Sequence, residues 1–207
     1  MTFTSLAFLQ SSLEQNYQQL PLVTKPADLV HGEGNEQAEI MLIGEAPGYH
    51  ESVQRRPFVG RSGQLLRQTI VKVGIEEKNV YISNIIKVRP PDNRDPLPEE
   101  ILAFKPYLDG EINLISPKLI VTLGRFSMAK FLPEVKVSQV HGRLHKIKWQ
   151  GQVVFILPMY HPAAALRSTK LKDSFIADFA KLPKVLEFIK TTAAGEEFKE
   201  TVKEALY

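Results

Sequence analysis

The 207-residue sequence contains no cysteine. A disulfide framework and thiolate metal sites are therefore both excluded, and cysteine usage indicates nothing about the redox compartment. The five histidines are dispersed along the chain. His141 and His145 would share one face of a strand, but no third ligand lies near them in the sequence, so we expect no metal site.

Long apolar stretches are absent as well. No run approaches the roughly 20 apolar residues that a membrane-spanning helix needs. The first 18 residues lack the basic start and the long apolar core of a signal peptide. We therefore expect a cytoplasmic protein that does not associate with membranes.

The sequence also lacks the motifs of two common enzyme classes. Neither of the glycine-rich phosphate-binding patterns, G-x-x-x-x-G-K-[ST] and G-x-G-x-x-G, occurs. The segment "GRSGQ" (60–64) lacks the final glycine of the G-x-S-x-G nucleophile elbow. A hydrolase that uses Ser62 as its nucleophile is therefore disfavoured, although it stays open as an alternative.

The net charge is weakly positive. The formal charge is +3 and the isoelectric point is about 9.0. This balance is compatible with a polyanionic partner, but many proteins with a similar charge bind no nucleic acid.

Four short apolar runs predict buried strands at 40–43, 80–83, 119–123 and 153–157. Helical spacing, capping residues and prolines predict four helices between and after them, at 62–74, 97–115, 125–132 and 173–191, the last broken near Pro183. This alternation predicts a three-layer α/β/α sandwich with a central four-stranded parallel sheet. Residues 140–154 should form a basic hairpin that leads into the last strand.

Polar residues of three loops follow strands of this sheet. In parallel α/β sheets ligands bind beyond the carboxyl ends of the strands, which is where residues 44–60, 83–91 and 158–165 would converge. The glycine-rich turn at 44–48 is either an ordinary turn or a place where a ligand touches the backbone. Asn84 either caps a turn or reads a pyrimidine edge, and Phe58 either packs in the core or stacks on a flat heterocycle. His161 is a catalytic candidate because Pro162 restricts its backbone to extended conformations.

Six sequence blocks, in order, resemble the uracil-DNA glycosylase superfamily, specifically its family 4 type. The blocks are "GEAPG", "PFVGRSGQLL", "SNIIKVRPPDNRDP", "PEEI", "PKLIVTLG" and "HPAAALR", and the resemblance spans about residues 30–182. It implies a four-stranded parallel sheet flanked by helices and a monofunctional DNA glycosylase. It also implies uracil-containing DNA as the partner, and we expect a monomer. The alternative is an inactive family member that binds nucleic acid or a free base.

The resemblance implies a role for each matching residue. Phe58 would stack on the extruded uracil, Asn84 would hydrogen-bond its edge and His161 would donate to O2 as the base departs. Glu45 would face the cationic sugar or position the attacking water. Glu51 would help to exclude a 5-methyl group, and the backbone around the base would come from Gly44, Ala46, Pro47 and Gly48.

Two further groups of residues would contact the DNA. The segment "HPAAALR" would enter the minor groove and fill the space that the base leaves, through Pro162, Ala163, Ala164, Ala165 and Arg167. The remaining predicted DNA contacts are Gly60, Arg61, Ser62, Lys87 and Arg89. Residues 1–192 would form the glycosylase-like domain, and 193–207 a helical tail.

One departure from the family is large. Family 4 members carry four cysteines that hold a [4Fe–4S] cluster, and the matching positions here are Tyr17, Leu20, Val88 and Phe104. All four side chains are apolar in character. We therefore expect no iron–sulfur cluster and no other cofactor, with hydrophobic packing at these positions instead.

Overall fold

The computed structural model describes residues 2–193. In this range one mixed sheet contains six strands in the order β1-β3-β2-β4-β6-β5. The strands are β1 (Glu33–Gly34), β2 (Ile40–Gly44), β3 (Val80–Asn84), β4 (Leu119–Leu123), β5 (His145–Trp149) and β6 (Gln152–Met159).

The centre of the sheet is parallel and its two edges are antiparallel. The four predicted strands correspond to β2, β3, β4 and β6, which pair in parallel. These four parallel strands are not the whole sheet, because β1 and β5 add one antiparallel strand at each edge. β1 is only two residues long and carries no apolar alternation that a sequence pattern could detect. The parallel register sets Gly44 opposite Asn84 at the end of β2 and β3.

Helices cover both faces of the sheet. They are α1 (Leu6–Gln15), α2 (Tyr49–Gln54), α3 (Arg61–Lys72), α4 (Pro98–Ile115), α5 (Arg125–Ala129), α6 (Val137–Val140), α7 (Pro162–Ala165), α8 (Thr169–Phe179) and α9 (Leu182–Ala193). Three predicted helices correspond to α3, α4 and α5. The first turn of α4 contains Pro98, and the Glu100 carboxylate accepts a hydrogen bond from the Leu97 backbone N–H at 2.8 Å.

The fourth predicted helix is two helices. α8 ends at Phe179 and α9 begins at Leu182, so the break lies before Pro183. Pro183 occupies the first turn of α9, where its missing N–H removes no helical hydrogen bond. α1, for which the sequence analysis assigned no element, buries Leu6, Leu9 and Leu13.

Strand residues alternate between two apolar layers. Met41 and Ile43 pack with α1 and α4 on one face, whereas Ile40 and Leu42 pack with α3, α8 and α9 on the other. This period of two is what a strand buried on both faces requires. The three-layer α/β/α architecture is thereby confirmed.

The predicted basic hairpin is shorter than expected. It is formed by β5 and β6 and turns at Gln150 and Gly151, both of which have positive φ as type I′ turns require. Residues 140–144 lie outside it, since Val140 ends α6 and His145 begins β5.

The predicted tail falls almost wholly outside the described residues, of which Ala193 is the last. Among residues 2–193, no helix is both long enough and apolar enough to cross a membrane.

Candidate active site

A cavity of about 710 Å³ opens at the carboxyl edge of the parallel strands. It brings together nearly all of the side chains predicted to hold and cleave the base. Predicted residues in its wall are Glu45, Ala46, Pro47, Gly48, Glu51, Phe58, Ser62, Asn84, His161, Ala163, Ala164 and Arg167. Residues in the wall that the sequence analysis missed include Tyr49, His50, Asp95, Gly124, Arg125 and Tyr160.

Gly44 allows two of these side chains to approach the end of β2. A Cβ atom at this position would overlap both Asn84 Oδ1 and the Phe58 ring. The close approach explains why this strand ends in glycine. Gly63 in α3 allows the Phe58 backbone to approach in the same way, since a Cβ atom at Gly63 would overlap it. The φ of Phe58 is +55°.

The Asn84 side chain has an unsatisfied acceptor in this cavity. Asn84 is 2% exposed, and its buried Oδ1 accepts no hydrogen bond within the described chain. A buried polar atom without a partner costs about 1–3 kcal/mol. Oδ1 therefore caps no turn of the described backbone and is available to a donor on a bound molecule.

His161 presents a neutral donor to the same cavity. Its Nδ1 accepts a hydrogen bond from the Ala163 backbone N–H at 3.2 Å, so in the neutral ring the proton lies on Nε2. Burial lowers the pKa of His161 to about 4, with Arg167 acting in the same direction and Glu51 opposing it. The Phe58 and His161 ring centroids are 5.9 Å apart. Near neutral pH this side chain is an uncharged N–H donor beside an aromatic ring.

Glu45 lies in the wall near charges of both signs. Burial raises the pKa of the Glu45 carboxyl, the Asp95 carboxylate raises it further, and the Arg125 guanidinium opposes the shift. Arg125 forms an ion pair with Asp95. Arg125 follows β4, and extending the strand-end argument to this fourth loop would have identified it.

Glu51 holds the loop that carries Phe58. It is buried, and its Oε1 accepts hydrogen bonds from the backbone N–H groups of Val59 at 3.0 Å and Gly60 at 2.8 Å. These bonds fix the loop between α2 and α3. The predicted role of Glu51 against a 5-methyl group stays a prediction.

A second cavity of about 510 Å³ adjoins the first. Its wall contains Gly60, Arg61, Ser62, Ala163 and Arg167 from the predicted DNA contacts. Arg89 lines neither cavity, but its guanidinium lies 5.4 Å from the centroid of the exposed ring of Tyr49, which lines the first cavity.

Three predicted DNA contacts have side chains that are buried in this structure, which argues against their predicted roles. Lys87 is 0% exposed and forms an ion pair with Glu111, so it cannot reach a DNA phosphate. Pro162 and Ala165 are buried where α7 packs against α3 and α8. Leu166 belongs to the same segment but was not among the predicted contacts, and it is 42% exposed and lines the second cavity. The neighbouring sequence, alanines before Leu166 and an arginine after it, does not predict that the Leu166 side chain is exposed.

The four positions that match the family's cysteines lie in one apolar cluster. Leu20, Val88 and Phe104 are buried members of this cluster, and Tyr17 packs against it while partly buried. Iron–sulfur clusters are held by cysteine thiolates, which these side chains lack, so the residues present do not fit that group. Among residues 2–193, no group of three or more side chains has the composition and arrangement of a metal site.

Comparison with known proteins places this site in a family. The model of the uracil DNA glycosylase superfamily matches residues 31–182. The Type-4 uracil-DNA glycosylase of Sulfurisphaera tokodaii is 44% identical over 159 residues, which cover 74% of this chain and 72% of that protein. The enzyme of the same name from Archaeoglobus fulgidus is 41% identical over 74% of this chain and 79% of its own length. The one from Thermotoga maritima is 39% identical over 78% of this chain and 84% of its own length. With this fold, this cavity and these relatives, the chain belongs to the uracil-DNA glycosylase superfamily.

Proposed function

We propose that this chain removes uracil from DNA by hydrolysing the N-glycosidic bond, leaving an abasic site. The observation that carries the proposal is the unpaired Asn84 Oδ1, buried in the same cavity as the neutral N–H donor of His161. The Type-4 uracil-DNA glycosylases that resemble the chain support the same activity. Uracil has an acceptor–donor–acceptor edge, which this pair of side chains complements.

Recognition of the base would use one ring and one amide. The extruded uracil would stack on Phe58, a contact worth about 1–3 kcal/mol for a base on an aromatic side chain. The Asn84 amide would accept from uracil N3–H through Oδ1 and donate to O4 through Nδ2. Binding would thereby supply the partner that Oδ1 lacks in the free protein.

Bond cleavage would leave negative charge on uracil and positive charge on the sugar. The His161 Nε2–H would donate to O2, where a preorganised donor is most valuable as charge develops. The Glu45 carboxylate would stabilise the cationic sugar or orient the attacking water. Both residues are partly buried, and electrostatic interactions are stronger in such surroundings than in bulk water.

Removing the Asn84 amide should slow excision. We expect Asn84→Ala to lose at least about 2 kcal/mol of transition-state stabilisation, or about 30-fold in kcat/KM, because the uracil edge would be buried without partners. Asn113→Ala is the matched control, since Asn113 is exposed and bonds Gln150 away from the cavity. Excision by Asn84→Ala within twofold of wild type would show that Asn84 does not read the base.

The pH dependence of the excision rate should come from Glu45 and not from His161. His161 stays neutral down to about pH 4, whereas Glu45 takes up a proton at a pKa raised above its ordinary 4.5. The rate should therefore fall as the pH falls through the Glu45 pKa, since only the carboxylate stabilises a cation. In Glu45→Gln we expect a lower rate that no longer shows this loss. A loss centred near pH 6.5 that persists in Glu45→Gln would contradict the proposal; circular dichroism checks that both proteins stay folded.

DNA would be held along the second cavity. Arg61 and Arg167 offer charge for phosphates, and Leu166 would insert where the base has left the stack. We expect Leu166→Ala to slow uracil excision from duplex DNA about tenfold, with a smaller loss on single strands that need no unstacking. Leu102→Ala, at a 66% exposed leucine on α4, is the control. Equal losses on both substrates would argue against the wedge.

The proposal includes no iron–sulfur cluster, since the residues at the four cysteine positions belong to one apolar cluster and carry no thiolate. We also propose that the protein acts as a monomer, that it is located in the cytoplasm and that its substrate is uracil-containing DNA. Residues 1–192 would act as one domain, which is supported by the two apolar clusters on the faces of the single sheet, since their members extend from Phe3 to Ile189.

The experiment that tests the proposal uses an oligonucleotide with a single uracil and a matched one with thymine. We expect strand cleavage only for the uracil substrate and only after alkali. Among residues 2–193, no lysine lines the main cavity, so we expect that no Schiff base forms and that borohydride traps no protein–DNA adduct. An inactive family member would bind the uracil strand and leave it uncut after alkali.

A further inference from the structure

Lys87 is the most deeply buried charged group near the site. Its Nζ donates to Glu111 Oε2 at 2.6 Å, to Ser83 Oγ, and to the Asn84 backbone C=O at 3.1 Å. Ser83 Oγ in turn donates to Glu111 Oε2 at 2.7 Å. The ammonium group therefore joins the last two residues of β3 to α4, and every acceptor around it is buried.

Stability alone gives a weak reason for such an ion pair. Desolvation of two charges offsets much of their attraction, and apolar residues of similar volume often replace a buried pair without loss of stability. What apolar residues cannot supply is a directed donor to the Asn84 carbonyl. That hydrogen bond acts on the backbone of the residue whose side chain lines the cavity.

The backbone around Lys87 is hydrogen-bonded to the turn that follows β2 and to the segment before β1. The N–H groups of Ile85 and Ile86 donate to the carbonyls of Gly44 at 3.0 Å and Glu45 at 3.2 Å, so β3 continues alongside the catalytic turn. The Lys87 carbonyl accepts from Val30 N–H at 2.7 Å. A shift of residues 84–87 would therefore move Asn84 relative to Gly44 and Glu45.

We infer that the Lys87–Glu111 pair is a positioning device for uracil recognition: it fixes the end of β3 so that the Asn84 amide meets the base edge. This inference rests on the proposed function. Neither residue lines the main cavity, so the pair acts through Asn84 and not on the substrate. Asp109, also on α4, pairs with the partly buried Lys130, and within residues 2–193 the side chains of this pair form no hydrogen bond to residues of the cavity wall.

The test compares four variants with wild type. Lys87→Met and Glu111→Gln break the pair from either side, and Lys87→Met/Glu111→Leu replaces it with apolar groups. Asp109→Asn, a similar change on the same helix, is the control. Each protein is measured for Tm, for the single-turnover rate of uracil excision, for binding of free uracil by calorimetry, and for binding of uracil-free DNA.

We expect both single variants to excise uracil about 10- to 100-fold more slowly, since misplacement by about 1 Å can cost 10²-fold. Their affinity for free uracil should fall while their affinity for uracil-free DNA stays at the wild-type level. The double variant should regain Tm relative to Lys87→Met without regaining rate or uracil affinity. Asp109→Asn should change Tm only.

A double variant with wild-type rate and uracil affinity would overturn the inference, because the pair would then serve stability alone. A wild-type excision rate in folded Glu111→Gln would also overturn the inference. Because this change is isosteric, it tests the positioning role even if Lys87→Met does not fold. If the wild-type protein excises no uracil, the proposed function fails. In that case the affinities of the variants for free uracil still test the positioning role, independently of excision.

Discussion

Replacing His161 by alanine should lower the single-turnover rate of uracil excision by about 10²–10³-fold, the usual loss when one donor to a developing anion is removed. DNA affinity should change little, because the hydrogen bond to O2 strengthens only as charge builds on the leaving base. The effect is expected to be large because this donor is fixed in advance: Ala163 N–H holds Nδ1, and burial keeps the ring neutral. The measurement is the excision rate with enzyme in excess, alongside a binding titration.

His31→Ala is the matched control for this prediction. His31 bonds Glu14 at 2.9 Å and does not line the cavity, so its loss should leave the excision rate unchanged. Equal losses in rate and DNA binding for His161→Ala would assign His161 to substrate positioning.

Truncating Phe104 to alanine should lower the free energy of unfolding by about 3–5 kcal/mol. The Phe104 ring is 0% exposed and lies in the apolar cluster that joins α1, α4 and one face of the sheet. Removing the ring would leave a cavity lined by apolar side chains, and the contacts that these side chains make with the ring would be lost. Urea denaturation followed by circular dichroism measures the change.

Leu102→Ala, on the same helix but 66% exposed, controls for helix propensity. We expect it to shift the unfolding free energy by less than about 0.5 kcal/mol, as exposed positions usually do. A loss below about 1 kcal/mol for Phe104→Ala would mean that packing at the family's cysteine positions does not stabilise this chain. Elemental analysis of the wild-type protein bears on the same point, since stoichiometric iron would refute packing in place of a cluster.

The central strands and the loops of the site were predictable because both depend on local patterns. The run "IMLI" is apolar at every position and "LIVTL" at every position except Thr122, as is typical of strands covered on both faces. Gly44, Asn84 and His161 each follow such a run, and the rule that parallel strands end at one edge was enough to bring them together.

Other features depend on contacts between distant residues, which no local pattern reveals. Lys87 was predicted to bind DNA because a lysine in a basic segment is usually exposed, yet Glu111, 24 residues later, pairs with it inside the protein. The tautomer of His161 depends on where the Ala163 N–H points, and the exposure of Leu166 on how α7 packs. The short edge strand β1 is defined by its pairing with β3 and not by its own sequence.

The most direct test of the account is to measure, by mass spectrometry, free uracil released by the wild-type protein from a single-uracil duplex in the presence of an iron chelator. The account predicts one free uracil for each alkali-labile site formed, at a rate that the chelator does not change. Tight binding of the duplex without release of uracil would contradict it and would identify the chain as a binding member of the superfamily.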